Sequence, residues 1–134
     1  MILSREKILG AVGKREVRHV PVPEIEEGGE VIVQSMTGAE RDRFESGLVI
    51  EGKNGKQKAD LKNVRARLVA ATVVDEKGRK LFTPQDVEEL GKISAAALDR
   101  IFEAARELSG MSQKDVEELA ENLDQTQSED ATSD

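Results

Sequence analysis

The spacing of apolar residues changes character along this chain, from alternation near the start to helical periodicity further on. From Glu16 the text reads EVRHVPVPEI, then EEGG, then EVIVQSM. Two Val/Ile-rich runs around Glu27-Gly28-Gly29-Glu30 predict a β-hairpin with a glycine turn. Pro21 and Pro23 share parity, so their missing N–H groups face one side, and the first strand is expected at a sheet edge. Residues 1–15 show no clear pattern and are expected to be a flexible lead, disordered or briefly helical.

Thr37-Gly38-Ala39-Glu40 has capping-box spacing and predicts a first helix over ERDRFESGLV, with Phe44 and Leu48 turned inward. Glu51–Lys58, EGKNGKQK, is expected to be a polar loop. In DLKNVRARLVAATVV, Leu61, Val64, Leu68 and Ala71 fit a helical stripe with Arg65 and Arg67 off it. LVAATVV alone fits a buried strand equally well, so 66–74 stays open between helix and strand. The length of the run and its lack of breakers favour helix. Asp75-Glu76-Lys77-Gly78 predicts a tight turn, after which Leu81 and Phe82 return to the core. Thr83-Pro84 opens another helix, bearing Val87 and Leu90 and loosened at Gly91.

The longest helix begins after Ser94, in AAALDRIFEAAREL. Leu98, Ile101, Phe102, Ala105 and Leu108 recur as one amphipathic stripe, and Ser109-Gly110 ends it. Ser112 caps a last expected helix carrying Val116, Leu119 and Leu123. The expected fold class is mainly α with a small N-terminal β-hairpin (α+β). One domain spans 16–124, following the 1–15 lead, and an acidic tail over 125–134 is disordered by composition.

Composition sharpens this picture in three ways. The chain of 134 residues has no Trp or Tyr and three Phe, so Leu, Val, Ile and Ala must build the core. That predicts marginal stability, helped by self-association. Cysteine is absent and His19 is the single histidine, which removes disulfides, thiolate nucleophiles, Cys-based zinc sites and His-dependent triads. The net charge of −7 resides entirely in residues 113–134, which carry eight acidic residues and one lysine; the rest is balanced. No positive field attracts nucleic acid. No apolar run is long enough for a bilayer, and the start lacks a signal-peptide core, so a cytosolic, membrane-free protein is expected.

Candidate chemistry is sparse. Glu26-Glu27, Glu88-Glu89 and Glu117-Glu118 are adjacent carboxylates expected on solvated surfaces, whereas acid–base work needs burial that drives pKa values apart. Asp75-Glu76-Lys77-Gly78 lacks the ligand spacing of a calcium loop. Gly28-Gly29 and Gly52…Gly55 lack the context of a phosphate cradle. His19 has no partner ligand. No catalytic set and no cofactor site emerges. Arg65 and Arg67 admit two readings: surface cations paired among Glu40, Asp42 and Glu45, or one partly buried arginine that orients the loop at Asp75.

The stretch NVRARLVAATVVDEKGRKLFTPQDVEELGKISAAALDRIFEAARELSGMSQKDVEELAENL, Asn63 to Leu123, resembles the tail assembly chaperones of long-tailed, siphovirus-type bacteriophages and prophages. The upstream GGEVIVQSMTGAERDRFE fits the same pattern, so the resemblance covers Gly28 to Leu123. It implies a protein of the host bacterial cytoplasm that acts during tail morphogenesis and is absent from the finished virion. It further implies binding to the tape-measure protein and recruitment of the major tail protein. A programmed frameshift that yields a longer product is common in such genes.

A holdase must offer apolar surface to a client while charge keeps it soluble. Leu98, Ile101, Phe102 and Ala105 on the longest stripe, and Val116, Leu119 and Leu123 on the last, are the candidate partner-binding residues. Ordinary core packing is an equal reading for each. The rival functions are an enzyme subunit, disfavoured by the residue inventory, and a small head–tail connector or tail terminator of a phage.

Overall fold

A computed structural model describes residues 1–51, 57–59 and 63–111. A short helix α1 (Arg5–Leu9), capped by the Ser4 hydroxyl, leads into β1 (Val17–Pro21) and β2 (Glu30–Gln34). These strands pair antiparallel with Pro21 opposite Glu30, and the intervening Val22–Gly29 loop is closed by the Val22 N–H donating to Gly29 O at 2.9 Å. β1 is the edge of a three-stranded sheet in which β2 is central and Val73–Val74 form the far strand, and this edge accommodates Pro21 as expected.

α2 (Gly38–Gly47) starts at a complete capping box between Thr37 and Glu40. Its Phe44 packs at the rim of the core, and Leu48 beyond its end is buried. β3 (Val49–Glu51) and β4 (Gln57–Ala59) form a separate antiparallel ribbon. The expected polar loop over Glu51–Lys58 is therefore corrected. Glu51, Gln57 and Lys58 are ladder residues, because a two-stranded ribbon is held by main-chain groups that polar side chains do not obstruct. The remainder of that loop, and Leu61, lie outside the described residues.

The open stretch after Asn63 resolves into both alternatives in succession. α3 (Val64–Thr72) runs directly into β5 (Val73–Val74), which pairs with β2. Ala66, Leu68, Val69, Ala70 and Thr72 of α3 are all buried, whereas Val64 and Ala71 are only half-buried. The single stripe through Val64, Leu68 and Ala71 is corrected for a physical reason. α5 (Ala95–Leu108) covers one side of α3, and α2 and α4 (Val87–Leu90) cover others, so this helix is covered on several sides and loses one-sided periodicity. Its one buried hydroxyl, Thr72 Oγ1, is satisfied by donating back to Leu68 O at 2.8 Å.

The Asp75–Gly78 turn forms as the sequence predicts. Asp75 Oδ1 accepts from the N–H groups of Lys77 and Arg79 at 2.8 and 3.0 Å, and Gly78 takes φ +80°, which favours glycine. Beyond it Leu81 is 54 % exposed, a correction to its expected burial. The chain runs beside β5 there, with the Leu81 N–H on Val73 O at 3.1 Å, and alternation sends Leu81 to the open face while Phe82 turns toward the core.

A 3₁₀ turn over Pro84–Asp86, boxed by Thr83 and Asp86, precedes the single-turn helix α4 (Val87–Leu90). α5 (Ala95–Leu108) is capped by Ser94 and packs against α3, β1 and β2. The core lies between these layers. Val20 and Val33 of the sheet meet Leu68 and Val69 of α3 and Ile101, Phe102 and Ala105 of α5. The fold class is as expected: helices around one small N-terminal antiparallel sheet.

Candidate partner-binding surfaces

Of the proposed binding residues, Ile101 and Phe102 are 3 % and 7 % exposed, Ala105 is fully buried, and Leu98 packs on the core's edge. The structure thus gives this stripe the packing role that the sequence left as its equal reading. Val116, Leu119 and Leu123 lie outside the described residues. Arg65, on the outer side of α3, reaches α5 instead of α2. Its Nε donates to Asp99 Oδ1 at 3.0 Å, and its guanidinium stands 5.6 Å from the Phe102 ring centroid. Arg67 donates to Gly47 O at 3.2 Å. The proposed role of either arginine at Asp75 is corrected: Arg79 makes that ion pair, at 3.1 Å, because it is already in the same turn.

Among the described residues, open apolar surface is grouped in three other places. The first is the N-terminal arm, where Met1, Ile2, Leu3, Ile8, Leu9 and Val12 are all exposed and α1 buries nothing. Six large apolar side chains within twelve residues is an unusual density for solvent. Counting them without demanding periodicity would have found this patch in the sequence. The second is the outer face of the sheet, where exposed Leu81 stands near half-buried Ile32, which the register sets between His19 and the buried Val74. His19 itself is engaged by Glu30, with Nδ1 2.9 Å from Oε1, as expected of a hydrogen-bonded edge-strand histidine.

The third is a cleft of about 630 Å³ between α2, α3 and the 3₁₀ turn with α4. Phe44, Ala70, Ala71, Phe82 and Val87 supply its apolar lining, while Arg43, Arg67, Lys80 and Glu88 supply its charged groups. Sequence reasoning missed it because its described walls come from three separated segments. At one end sits a charge cluster around Glu40. That carboxylate accepts from Arg15 Nη1 at 2.6 Å and from the Thr37 N–H at 2.9 Å, with Lys80 Nζ at 3.8 Å. Partial burial opposes its ionisation, but the Thr37 N–H and Arg15 outweigh that and hold its pKa below the usual value. Among the described residues no His, Asp and Glu side chains gather in the threes or more that hold a metal ion.

The sequence profile of the phage tail assembly chaperone family matches residues 5–122, nearly the whole chain. The chain belongs to that family. The family is one of phage assembly chaperones. Among solved structures, this chain is similar in fold to the tail assembly chaperone of bacteriophage HK97. The TM-score is 0.52 at 19 % identity, covering 83 % of this chain and all of that one. No match emerges among curated proteins. Among the described residues of this family member, no helix is long and apolar enough to cross a membrane.

Proposed function

We propose that this chain is a non-enzymatic tail assembly chaperone of the host cytoplasm, which binds the tape-measure protein, helps recruit the major tail protein and leaves before the virion is complete. The observation that carries the reading is the exposed apolar arm, Met1 to Val12, on a member of the phage tail assembly chaperone family. A chaperone for a long aggregation-prone client must keep apolar side chains available, and this arm does so without opening the core. The arm also carries Arg5 and Lys7 against Glu6, with Lys14 just beyond it, so charge keeps it in solution. Self-association belongs to the same proposal, since such an arm on one copy finds apolar surface on another.

The test is co-expression with the tape-measure protein of the same phage. The intact chain keeps that client soluble and co-purifies with it; a chain lacking residues 1–12 folds but loses both. Sedimentation of the intact chain gives species larger than a monomer at high micromolar concentration. Mass spectrometry of purified particles finds no copies. A tape-measure protein that is equally soluble without this chain, or copies retained in the particle as a connector or terminator would be, overturns the proposal.

A further inference from the structure

The two edges of the three-stranded sheet differ. Along β5 the edge is occupied: the Leu81 N–H donates to Val73 O at 3.1 Å, the Asp75 N–H donates to Arg79 O at 2.8 Å, and Lys80 bridges to Val74. Along β1 it is open. The Val22 N–H donates to Gly29 O and the Ser35 N–H to Glu16 O, both at 2.9 Å. With the observed register, the even-numbered residues from 16 to 22 therefore turn their main-chain groups toward β2. Val17, His19 and Pro21 turn theirs away, and among the described residues nothing bonds to those main-chain groups.

An open row of this kind is a template for another strand. Pro21 removes one donor from it, but the N–H and C=O groups of Val17 and His19 and the C=O of Pro21 remain. That row is complementary to itself. With two copies of β1 antiparallel about His19, the His19 N–H meets the partner's His19 at its carbonyl, and the Val17 N–H meets the carbonyl of the partner's Pro21. Two-fold symmetry repeats both bonds, and only the Val17 carbonyls go without a donor.

The flanks match as well. Antiparallel pairing sets the segment that enters β1 on one copy beside the loop that leaves β1 on the other. The entering segment is the arm, where Ile8, Leu9 and Val12 are exposed and Lys7 and Lys14 have no acidic partner among the described residues. The Val22–Gly29 loop presents Ile25, 61 % exposed, with Glu26 and Glu27 equally free of cations. Apolar groups thus meet apolar ones, and lysines meet glutamates. Within one chain the arm and this loop lie at opposite ends of β1, about 14 Å apart.

We infer that a second copy of this chain pairs with the open edge of β1 about a two-fold axis at His19, each arm lying on the other's Val22–Gly29 loop. The contact supplies the surface for the self-association proposed above and rests on that reading. It covers Ile8, Leu9 and Val12 and leaves Met1, Ile2 and Leu3 open to a client.

Variants of the full chain separate this contact from association in general. His19→Pro removes the central outward donor and keeps every bond to β2, as an edge position allows. In sedimentation equilibrium it should weaken the parent's dimer at least tenfold, with an unchanged unfolding midpoint in dilute solution. Glu26→Lys with Glu27→Lys, on an exposed loop, should weaken the dimer several-fold at low salt, and adding Lys7→Glu with Lys14→Glu should restore it. The chain has no native cysteine, so His19→Cys gives a third reading. Opposed Cα atoms of a hydrogen-bonded pair stand about 5.5 Å apart, within reach of a disulfide. Mild oxidation should link its dimers at least tenfold faster than those of Glu76→Cys, a position exposed in the turn beyond β5. Dimers as tight in His19→Pro and in the loop variant, or linkage at His19→Cys no faster than the control, would overturn this contact and leave self-association standing. A parent that is monomeric at high micromolar concentration overturns both, while the solubility of the tape-measure protein tests the client reading separately.

Discussion

Arg100 and Glu24 are 76 residues apart in sequence, yet Arg100 grips the Glu24 carboxylate with both Nε and Nη2, the latter at 2.7 Å. The pair clamps the hairpin loop to α5. A planar guanidinium suits this fork, where lysine would offer a single point of charge.

The clamp has a pH signature. The Arg100 hydrogen bonds hold the Glu24 pKa below the usual carboxylate value, and those of Arg18 do the same for Glu107. Asp75 is lowered by the N–H of Arg79, and Glu40 by its partners despite partial burial. A folded-state pKa below the unfolded one means stability that is complete above about pH 5 and is lost as pH falls through about 4 and below. Thermal unfolding should therefore hold steady from neutrality to about pH 5, then decline, with a shallower acid decline in Glu24→Gln. A midpoint unchanged at pH 3 would contradict these assignments.

Phe102→Ala should cost about 3–5 kcal/mol in chemical denaturation, because it empties a buried site between α3 and α5 and removes the ring beneath Arg65. A variant as stable as the parent would show the stripe to be surface.

Gly91 marks a close approach. A Cβ there would lie 2.8 Å from Asn63 Oδ1, and Asn63 occupies the left-handed region with φ 57° at the start of α3. Gly91→Ala should destabilise by about 1 kcal/mol, and Asn63→Gly, which frees the space and tolerates the same φ, should abolish that cost. Additive effects in the double variant would place the strain elsewhere.

Removing the Thr37 hydroxyl breaks the capping box of α2, and Thr37→Ala should lose about 1 kcal/mol. Thr37→Ser, which keeps the acceptor, should lose less than half of that.

Deleting residues 1–9 should shift stability by no more than about 0.5 kcal/mol, since the segment buries nothing while Arg15, which holds Glu40, remains. A larger loss in dilute solution would mean that the arm folds back on its own chain.

What the sequence determined by itself is the local grammar. Thr37-x-x-Glu40, Thr83-Pro84, Ser94 and Asp75–Gly78 set their caps and turns because each satisfies backbone groups within a few residues. The stripe of α5 was also legible, since one side of that helix stays in solvent. The tertiary structure decided what depended on several neighbours at once. α3 lost its stripe because helices cover it on several sides, and LVAATVV could be helix and strand together because β2 offered Val73 and Val74 a ladder. Leu81 turned outward for the same reason, following the alternation of the strand beside it. The cleft between Phe44 and Phe82 and the fork between Arg100 and Glu24 exist only once distant segments meet, and no periodicity along the chain encodes such meetings.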